Sequence, residues 1–367
     1  MRNPLHAICP YFAMFPETFV EKVLNRFTAK GDVVFDPFSG RGTTLLQSLL
    51  MGRRAAASDI NPVAYVISAA KARPPSTGAA IRRLDELQFM FLADRGPWRR
   101  QRTKLPDFFG RGFYYETLEE ILFLRATLRW SANPIDCFIA ALVLGILHGE
   151  MDRSSRYLSN QMPRTISSKP GYSVRYWREH DLWAEKRDTF ERLREDTFLR
   201  LREKPDLNGK VALADARNCD VAFPRFAGKV NAVITSPPYF NVTRFEEDQW
   251  LRLWFLGNPP RPTYRSISKD DRHEQKDGYW KFLTEAWVGL ARMVAKGAVL
   301  VCRLGGSSMD QTELTRGFMG SLRAAFPDAR IIGRPVQSKF ERRQTDAFRP
   351  NSVGCRFEID YAVALHG

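Results

Sequence analysis

Residues 32–62 leave this chain few folds to choose from. Asp-Val-Val-Phe-Asp at 32–36 is a short apolar run closed by an acid, and it passes straight into Pro-Phe-Ser-Gly-Arg-Gly-Thr-Thr at 37–44. An apolar helical segment follows at 45–51, capped by Gly52, and a second strand-like run at 54–58 ends in Asp-Ile-Asn-Pro at 59–62. Strand, glycine turn, helix, strand and acid together make a nucleotide-binding half-fold of an open α/β sheet. The glycines let backbone approach a ligand closely, and an acid closing the second strand can accept hydrogen bonds from ribose hydroxyls. Asp59 in that place can also cap the helix after it. The spacing is not the dinucleotide fingerprint, because it is Gly-x-Gly with an acid in front, and no Gly-Lys-Ser/Thr follows to make a P-loop.

The acid in front of the glycines narrows the ligand. Asp36 would repel a pyrophosphate and suits a cationic amine. A ligand carrying both a ribose and an amino-acid ammonium is S-adenosylmethionine. A lone Gly-x-Gly is weak support for it, but the whole string from Asp36 to Pro62 is specific.

A second turn stands about two hundred residues later. Residues 229–234 read as a buried strand running into Thr-Ser-Pro-Pro-Tyr at 235–239. Two prolines forbid continuation of strand or helix, so the turn is stiff, with hydroxyls at its start and an aromatic ring at its end. Ligands of open α/β sheets bind at that edge. Further strands are predicted at 211–214, ending in Asp215, and at 298–303, 329–335 and 357–365, which gives a seven-stranded mixed sheet. Asp215 can meet an adenine amine or simply close an Asx turn.

Between these parts the pattern turns helical, with segments near 79–93, 116–130 and 134–148 and an exposed, charge-alternating helix within 181–204. Two stretches read as basic loops, 95–104 and 153–178. The second holds Arg153, Arg156, Arg164, Lys169, Arg175 and Arg178, interleaved with Tyr157, Tyr172, Tyr176 and Trp177. Cations for phosphates and rings for bases make a nucleic-acid composition. The alternative is a solvated loop that packs its rings on its own domain. The net charge of +15 favours a polyanionic partner over a merely basic protein. Five scattered cysteines and five scattered histidines suggest neither a metal site nor a disulfide framework and point to a reducing cytoplasm. No run is long and apolar enough for a membrane span.

DPFSGRGTT at 36–44, SDINP at 58–62 and TSPPY at 235–239 resemble the amino-methylating DNA methyltransferases of bacterial restriction-modification systems. The resemblance covers 1–70 and 206–367 and implies a Rossmann-like class I methyltransferase catalytic domain with S-adenosyl-L-methionine as cofactor. Residues 71–205 become a mostly helical insertion serving target recognition on double-stranded DNA. By that resemblance Asp36 would hold the methionine ammonium, with Pro37, Phe38, Gly40, Gly42 and Thr43 around it. Asp59 and Ile60 would meet the ribose, Asp215 and Ala216 the adenine, and Phe12, Phe15 or Pro16 would line the pocket from the N-terminal segment. DNA contacts would come from the basic insertion and from Lys339, Arg342 and Arg343. A cognate restriction endonuclease is the partner that such a system implies.

The chemistry centres on Ser236, Pro237, Pro238 and Tyr239. An exocyclic base amine is a poor nucleophile because its lone pair is conjugated with the ring. Acceptors at the Ser236 hydroxyl and the Pro237 carbonyl can localise that pair, and Tyr239 offers a ring for stacking. A base in a duplex must first be flipped out. Carbon-5 cytosine methylation needs a Pro-Cys nucleophile, and none of the five cysteines here follows a proline, so that chemistry is discarded. Within the resembled family, serine at the first turn position is commoner in enzymes acting on the 4-amino group of cytosine. The rival readings are adenine-N6 methylation, guanine-N2 methylation of RNA and a non-catalytic DNA-binding scaffold.

Overall fold

The computed structural model describes residues 2–11, 15–149, 156–160, 169–203, 205–240, 245–268, 275–306, 309–339 and 355–365. The chain divides into two compact units.

The first-described unit comprises Tyr11–Ser68, Leu207–Arg244 and Arg265–Gly367. Its strands are β1 (Val33–Asp36), β2 (Arg54–Asp59), β3 (Lys210–Leu213), β4 (Val230–Thr235), β5 (Val294–Gly306), β6 (Arg330–Ile331), β7 (Val336–Lys339) and β8 (Phe357–Ala364). They form one sheet in the order β3-β2-β1-β4-β5-β8-β6, with β7 also paired to β8. The first five run parallel, and β8 lies antiparallel to β5, β6 and β7. This is the Rossmann-like class I methyltransferase arrangement. The described sheet has eight strands where seven were expected. The added one, β7, is four residues long and exposed throughout, so it carries no apolar alternation to read.

Side chains alternate faces along these strands, and both faces are covered. Val33 and Phe35 of β1, Val233 of β4 and Leu300 and Cys302 of β5 join the larger core with Trp287, Leu290 and Phe318. Val34, Ile234 and Val301, one residue out of phase, pack with Val20, Val23 and Leu24 of the helix Glu17–Phe27. The register between β1 and β4 shifts between Val33 and Val34. There the Asn231 side chain accepts the Val33 amide proton at 2.9 Å, filling the gap in the ladder.

The second unit comprises Met1–Pro10, Ala69–Asp206 and Phe245–Tyr264. Its longest segment is Ala69–Asp206, and it also takes in the first ten residues and the segment after the second turn. Packing explains both additions. Trp250 and Trp254 meet Phe109 at 6.0 and 4.4 Å between ring centroids, and Gly145 has no room for a side chain because the Ile8 carbonyl lies against it. The helix Pro134–Ile146 is buried nearly all round, as its composition predicts, and Asn133 caps it by accepting from Ile135 and Asp136.

Three expectations for this unit are corrected. Residues 95–104 are not a loop: Gly96–Arg102 is helical, and Arg95 and Arg102 reach the buried Glu119 carboxylate at 2.8 and 3.3 Å. Part of the second basic stretch is the helix Pro170–Glu179, whose Trp177 is fully buried against Phe108 at 5.3 Å. The charge-alternating segment forms the helix Thr189–Leu201, which buries Phe190, Leu193, Thr197 and Leu201. A regular charge pattern concealed that apolar face, because ion pairs to neighbouring elements satisfy the charges. Among the described residues no helix is long and apolar enough to cross a membrane.

Candidate active site

Parallel β1, β2, β3 and β4 bring four chain segments to one sheet edge. Asp36 ends β1, Asp59 ends β2, Asp215 lies just past β3, and Thr235 ends β4. Three acids and a hydroxyl thus stand in a row at the C-terminal edge.

Asp36 joins the two sequence motifs. Its carboxylate is 2% exposed, and Oδ1 accepts both the Thr235 hydroxyl proton at 2.6 Å and the Phe38 amide proton at 3.1 Å. Burial raises its pKa from 3.8 to about 7, against the lowering effect of these bonds. A buried carboxylate held by neutral donors, with no described arginine or lysine paired to it, is the setting a ligand ammonium completes. Thr44 supports the same junction by donating to the Ile234 carbonyl at 3.0 Å.

The glycine turn is built for close approach. Gly40 and Gly42 have φ of +50° and +70°, a region that favours glycine. A Cβ on Gly42 would come within 2.7 Å of the Ser68 hydroxyl. That hydroxyl is 2.8 Å from Ser39 Oγ. Asp59 fixes the turn from the neighbouring strand: Oδ2 accepts the Gly40 amide proton at 2.9 Å, and Oδ1 accepts that of Asn61 at 2.9 Å. Burial raises the Asp59 pKa to about 6. Asn61, and not Asp59, caps the next helix, accepting the Val63 amide proton at 3.0 Å. Pro37 and Thr43 are buried in the turn, Ile60 is half-buried beside Asp59, and Phe38 meets Phe282 edge-on at 5.9 Å.

Asp215 closes a turn by accepting the Arg217 amide proton at 3.0 Å, and it also meets the Arg217 guanidinium at 2.9 Å. Arg217 also reaches Glu285 at 3.2 Å and lies over the Phe282 ring. The Asx turn is therefore present, and the acid still stands beside Asp59, whose carbonyl accepts the Ala214 amide proton at 3.1 Å. Ala216 is buried.

The second turn differs in one respect from its expected use. Tyr239 is only 6% exposed, and its ring lies so close to Gly305 that a Cβ there would overlap it. Its face is not an open platform for a base. Its hydroxyl instead donates to Glu358 Oε1 at 2.8 Å and accepts from Ser236 Oγ at 3.4 Å. Ser236 and Pro238 are half-buried and Pro237 is buried.

The N-terminal aromatics also need correction. Phe15 belongs to the core around Val34 and Ile234, and Pro16 is an exposed helix cap. Tyr11 is the residue beside the glycine turn: its ring lies 3.5 Å from where a Gly40 Cβ would be, and its hydroxyl accepts from Asn61 at 3.1 Å. Phe12 lies outside the described residues, as do Arg153, Arg164, Arg342 and Arg343. Of the other expected DNA contacts, Arg156 pairs with the buried Asp196, Lys169 with Glu247 at 3.5 Å, and Arg178 with Asp107. Arg175 lies over the exposed Tyr172 ring, and Lys339 is exposed on β7. Sequence reading missed Thr235, Tyr11 and Glu358 as site residues. Thr235 was available as the residue joining a buried strand to the double proline, whereas only the fold brings Glu358 to Tyr239.

Comparison with known proteins supplies a second line. Residues 3–70 match the model of the DNA methylase family. The type II methyltransferase M.MjaII of Methanocaldococcus jannaschii is 40% identical over 67 residues, 18% of this chain and 13% of that protein. The type II methyltransferase M.MvaI of Kocuria varians is 27% identical over 132 residues, 35% of this chain and 28% of that protein. The chain thus matches less than a third of the length of either relative. Solved structures with an overall likeness include the rRNA methyltransferase aviRa of Streptomyces viridochromogenes, at 13% identity and TM-score 0.37 over 99% of this chain and 93% of that one. TrmN of Thermus thermophilus follows at 10% identity and TM-score 0.38, over 99% and 52%. The fold assignment rests on strand order and not on these scores. The sequence matches support a relationship to the DNA N4/N6 methylases.

Proposed function

We propose that this chain transfers a methyl group from S-adenosylmethionine to an exocyclic base amine in DNA, the 4-amino group of cytosine within a restriction-modification system. The observation that supports the reading is the 2.6 Å hydrogen bond between Asp36 and Thr235, which joins the acid of the first motif to the start of the Ser-Pro-Pro-Tyr turn.

The residues fit the cofactor. Asp36 would take the ammonium, the Gly40–Gly42 backbone would lie along the amino-acid portion, and Asp59 would turn toward the ribose hydroxyls. Asp215 would stand by the adenine. The bound cofactor supplies an electrophilic methyl on a sulfonium. Ser236 Oγ and the Pro237 carbonyl would accept the two amine protons of an extruded base and draw its lone pair out of conjugation. The gain comes from positioning and from excluding water. Exposed cations would hold the DNA backbone, Arg175 in one unit and Lys339 in the other.

Cytosine is favoured over adenine by Ser236, where the resembled adenine enzymes more often carry aspartate. The test is to incubate the protein with labelled S-adenosylmethionine and unmethylated DNA or RNA, digest the product and identify the methylated nucleoside by mass spectrometry. N4-methylcytosine is expected. N6-methyladenine would move the specificity to the other amine, and absence of any product would remove the enzymatic reading.

A further inference from the structure

Behind Tyr239 runs a chain of polar groups that no sequence motif announces. Ser236 Oγ donates to the Tyr239 hydroxyl at 3.4 Å, and that hydroxyl donates to Glu358 Oε1 at 2.8 Å. Arg303 Nη1 lies 3.3 Å from the second Glu358 oxygen. The same guanidinium grips Asp360 bidentately, at 2.6 and 2.9 Å. It also lies 4.3 Å from the centroid of the Phe19 ring. The members come from the turn after β4, from β5 and from β8.

We propose that Glu358 is the positioning residue that orients Tyr239 and receives, through Tyr239 and Ser236, the proton released when the base amine is methylated. This rests on the methyltransferase reading given above.

The balance of the step requires such an acceptor. The amine nitrogen uses its lone pair to form the new N–C bond, while the electron pair of the broken S–C bond stays on sulfur. The nitrogen is left cationic with one proton to lose. That proton passes to Ser236 Oγ as the serine proton moves to Tyr239 Oη and the tyrosine proton moves to Glu358 Oε1. Both hydroxyls end as they began, and Glu358 ends as a neutral carboxyl.

Charge favours Glu358 as the terminus. One guanidinium serves two carboxylates, so the trio carries a net negative charge and becomes neutral on taking a proton. Asp360 is held by two short bonds, whereas Glu358 has a single longer contact with the arginine. The groups around Glu358 are Tyr239 from the turn, Arg303 from β5 and Asp360 on its own strand. Across the ladder it faces Gly305 of β5 and the uncharged Ser338 of β7, with Lys339 one residue farther along and Cys355 ahead of β8. Burial raises the carboxyl's pKa, with Arg303 and the tyrosine bond opposing. Tyr239 itself stays protonated between transfers, since burial and Glu358 push its pKa well up.

The experiment is single-turnover methyl transfer to unmethylated DNA at saturating donor, followed across pH, for the wild type, Glu358→Gln, Glu358→Asp, Tyr239→Phe and the double variant Tyr239→Phe/Glu358→Gln. Donor affinity is measured in parallel. Glu358→Gln keeps an oxygen for the tyrosine proton but cannot take the proton. It should lower the rate about a hundredfold, leave donor affinity unchanged and abolish the fall in rate on the acid side. Glu358→Asp should restore that acid limb, and the double variant should be no slower than Tyr239→Phe alone. A Glu358→Gln protein that keeps the wild-type rate and acid limb overturns the relay. So does a double variant in which the two losses multiply. Failure of the wild type itself to methylate DNA would instead overturn the underlying reading, and it would be seen before any variant is compared.

Discussion

Asp36→Asn should make the ligand-free protein more stable above neutral pH while removing its affinity for a cationic ligand. The hydrogen bonds from Phe38 and Thr235 both end on Asp36 Oδ1, and an asparagine oxygen can accept both. What changes is the cost of burying charge. The folded-state pKa rises from 3.8 to about 7, so the folded protein binds the proton more tightly than the unfolded chain. Below about pH 4 the carboxyl is protonated in both states and carries no penalty. As pH climbs, the unfolded chain ionises first and relative stability falls, until the full penalty stands above about pH 7. A rise from 3.8 to about 7 is worth about 4 kcal/mol. Urea unfolding at about pH 8 should therefore show Asp36→Asn more stable by about that amount, and at about pH 5 by about 2 kcal/mol. Calorimetric titration with S-adenosylmethionine should show affinity reduced about a hundredfold or more, because the buried ion pair is gone. A variant no more stable than wild type at about pH 8, or an advantage that does not shrink toward pH 5, would refute the account of a strained carboxylate awaiting a cation.

Other substitutions probe other parts of the site. Gly42→Ala should cost about 2–4 kcal/mol, from a left-handed backbone and the collision with Ser68, whereas Gly31→Ala, with φ of +89° and nothing within 4 Å, should cost about 1–2 kcal/mol; equal losses in urea unfolding would contradict the close approach. Arg156→Gln should destabilise by about 3 kcal/mol through the unpaired, buried Asp196, whereas Arg175→Gln should leave unfolding unchanged and weaken DNA binding, measured by fluorescence anisotropy with a shallower salt dependence.

Legibility in the sequence followed locality. The glycine turn, its flanking strands and the double-proline turn depend on residues adjacent in the chain, and each lies where its pattern placed it. β7 escaped because four exposed residues carry no periodicity. Trp177 misled because a ring among arginines reads the same in sequence whether it faces a base or a core, and here it is fully buried. The pairing of Arg156 and Arg178 was illegible likewise: their partners Asp196 and Asp107 lie far along the chain. Glu358 was hidden for the same reason, since it stands 119 residues from Tyr239.

The placement of β1 beside β4 has a consequence for synthesis. Asn231, which completes the ladder at Val33, lies 198 residues downstream. Translation at ordinary rates takes roughly ten to forty seconds to cover that interval. Throughout it, one edge of β1, with apolar Val34 and Phe35, has no native neighbour, although β2 and the glycine turn have already emerged. An unpaired apolar strand edge invites pairing with other chains. The nascent protein therefore passes through a period of exposure to aggregation that ends only when β4 arrives, and slowing translation within the helical segment should lengthen it.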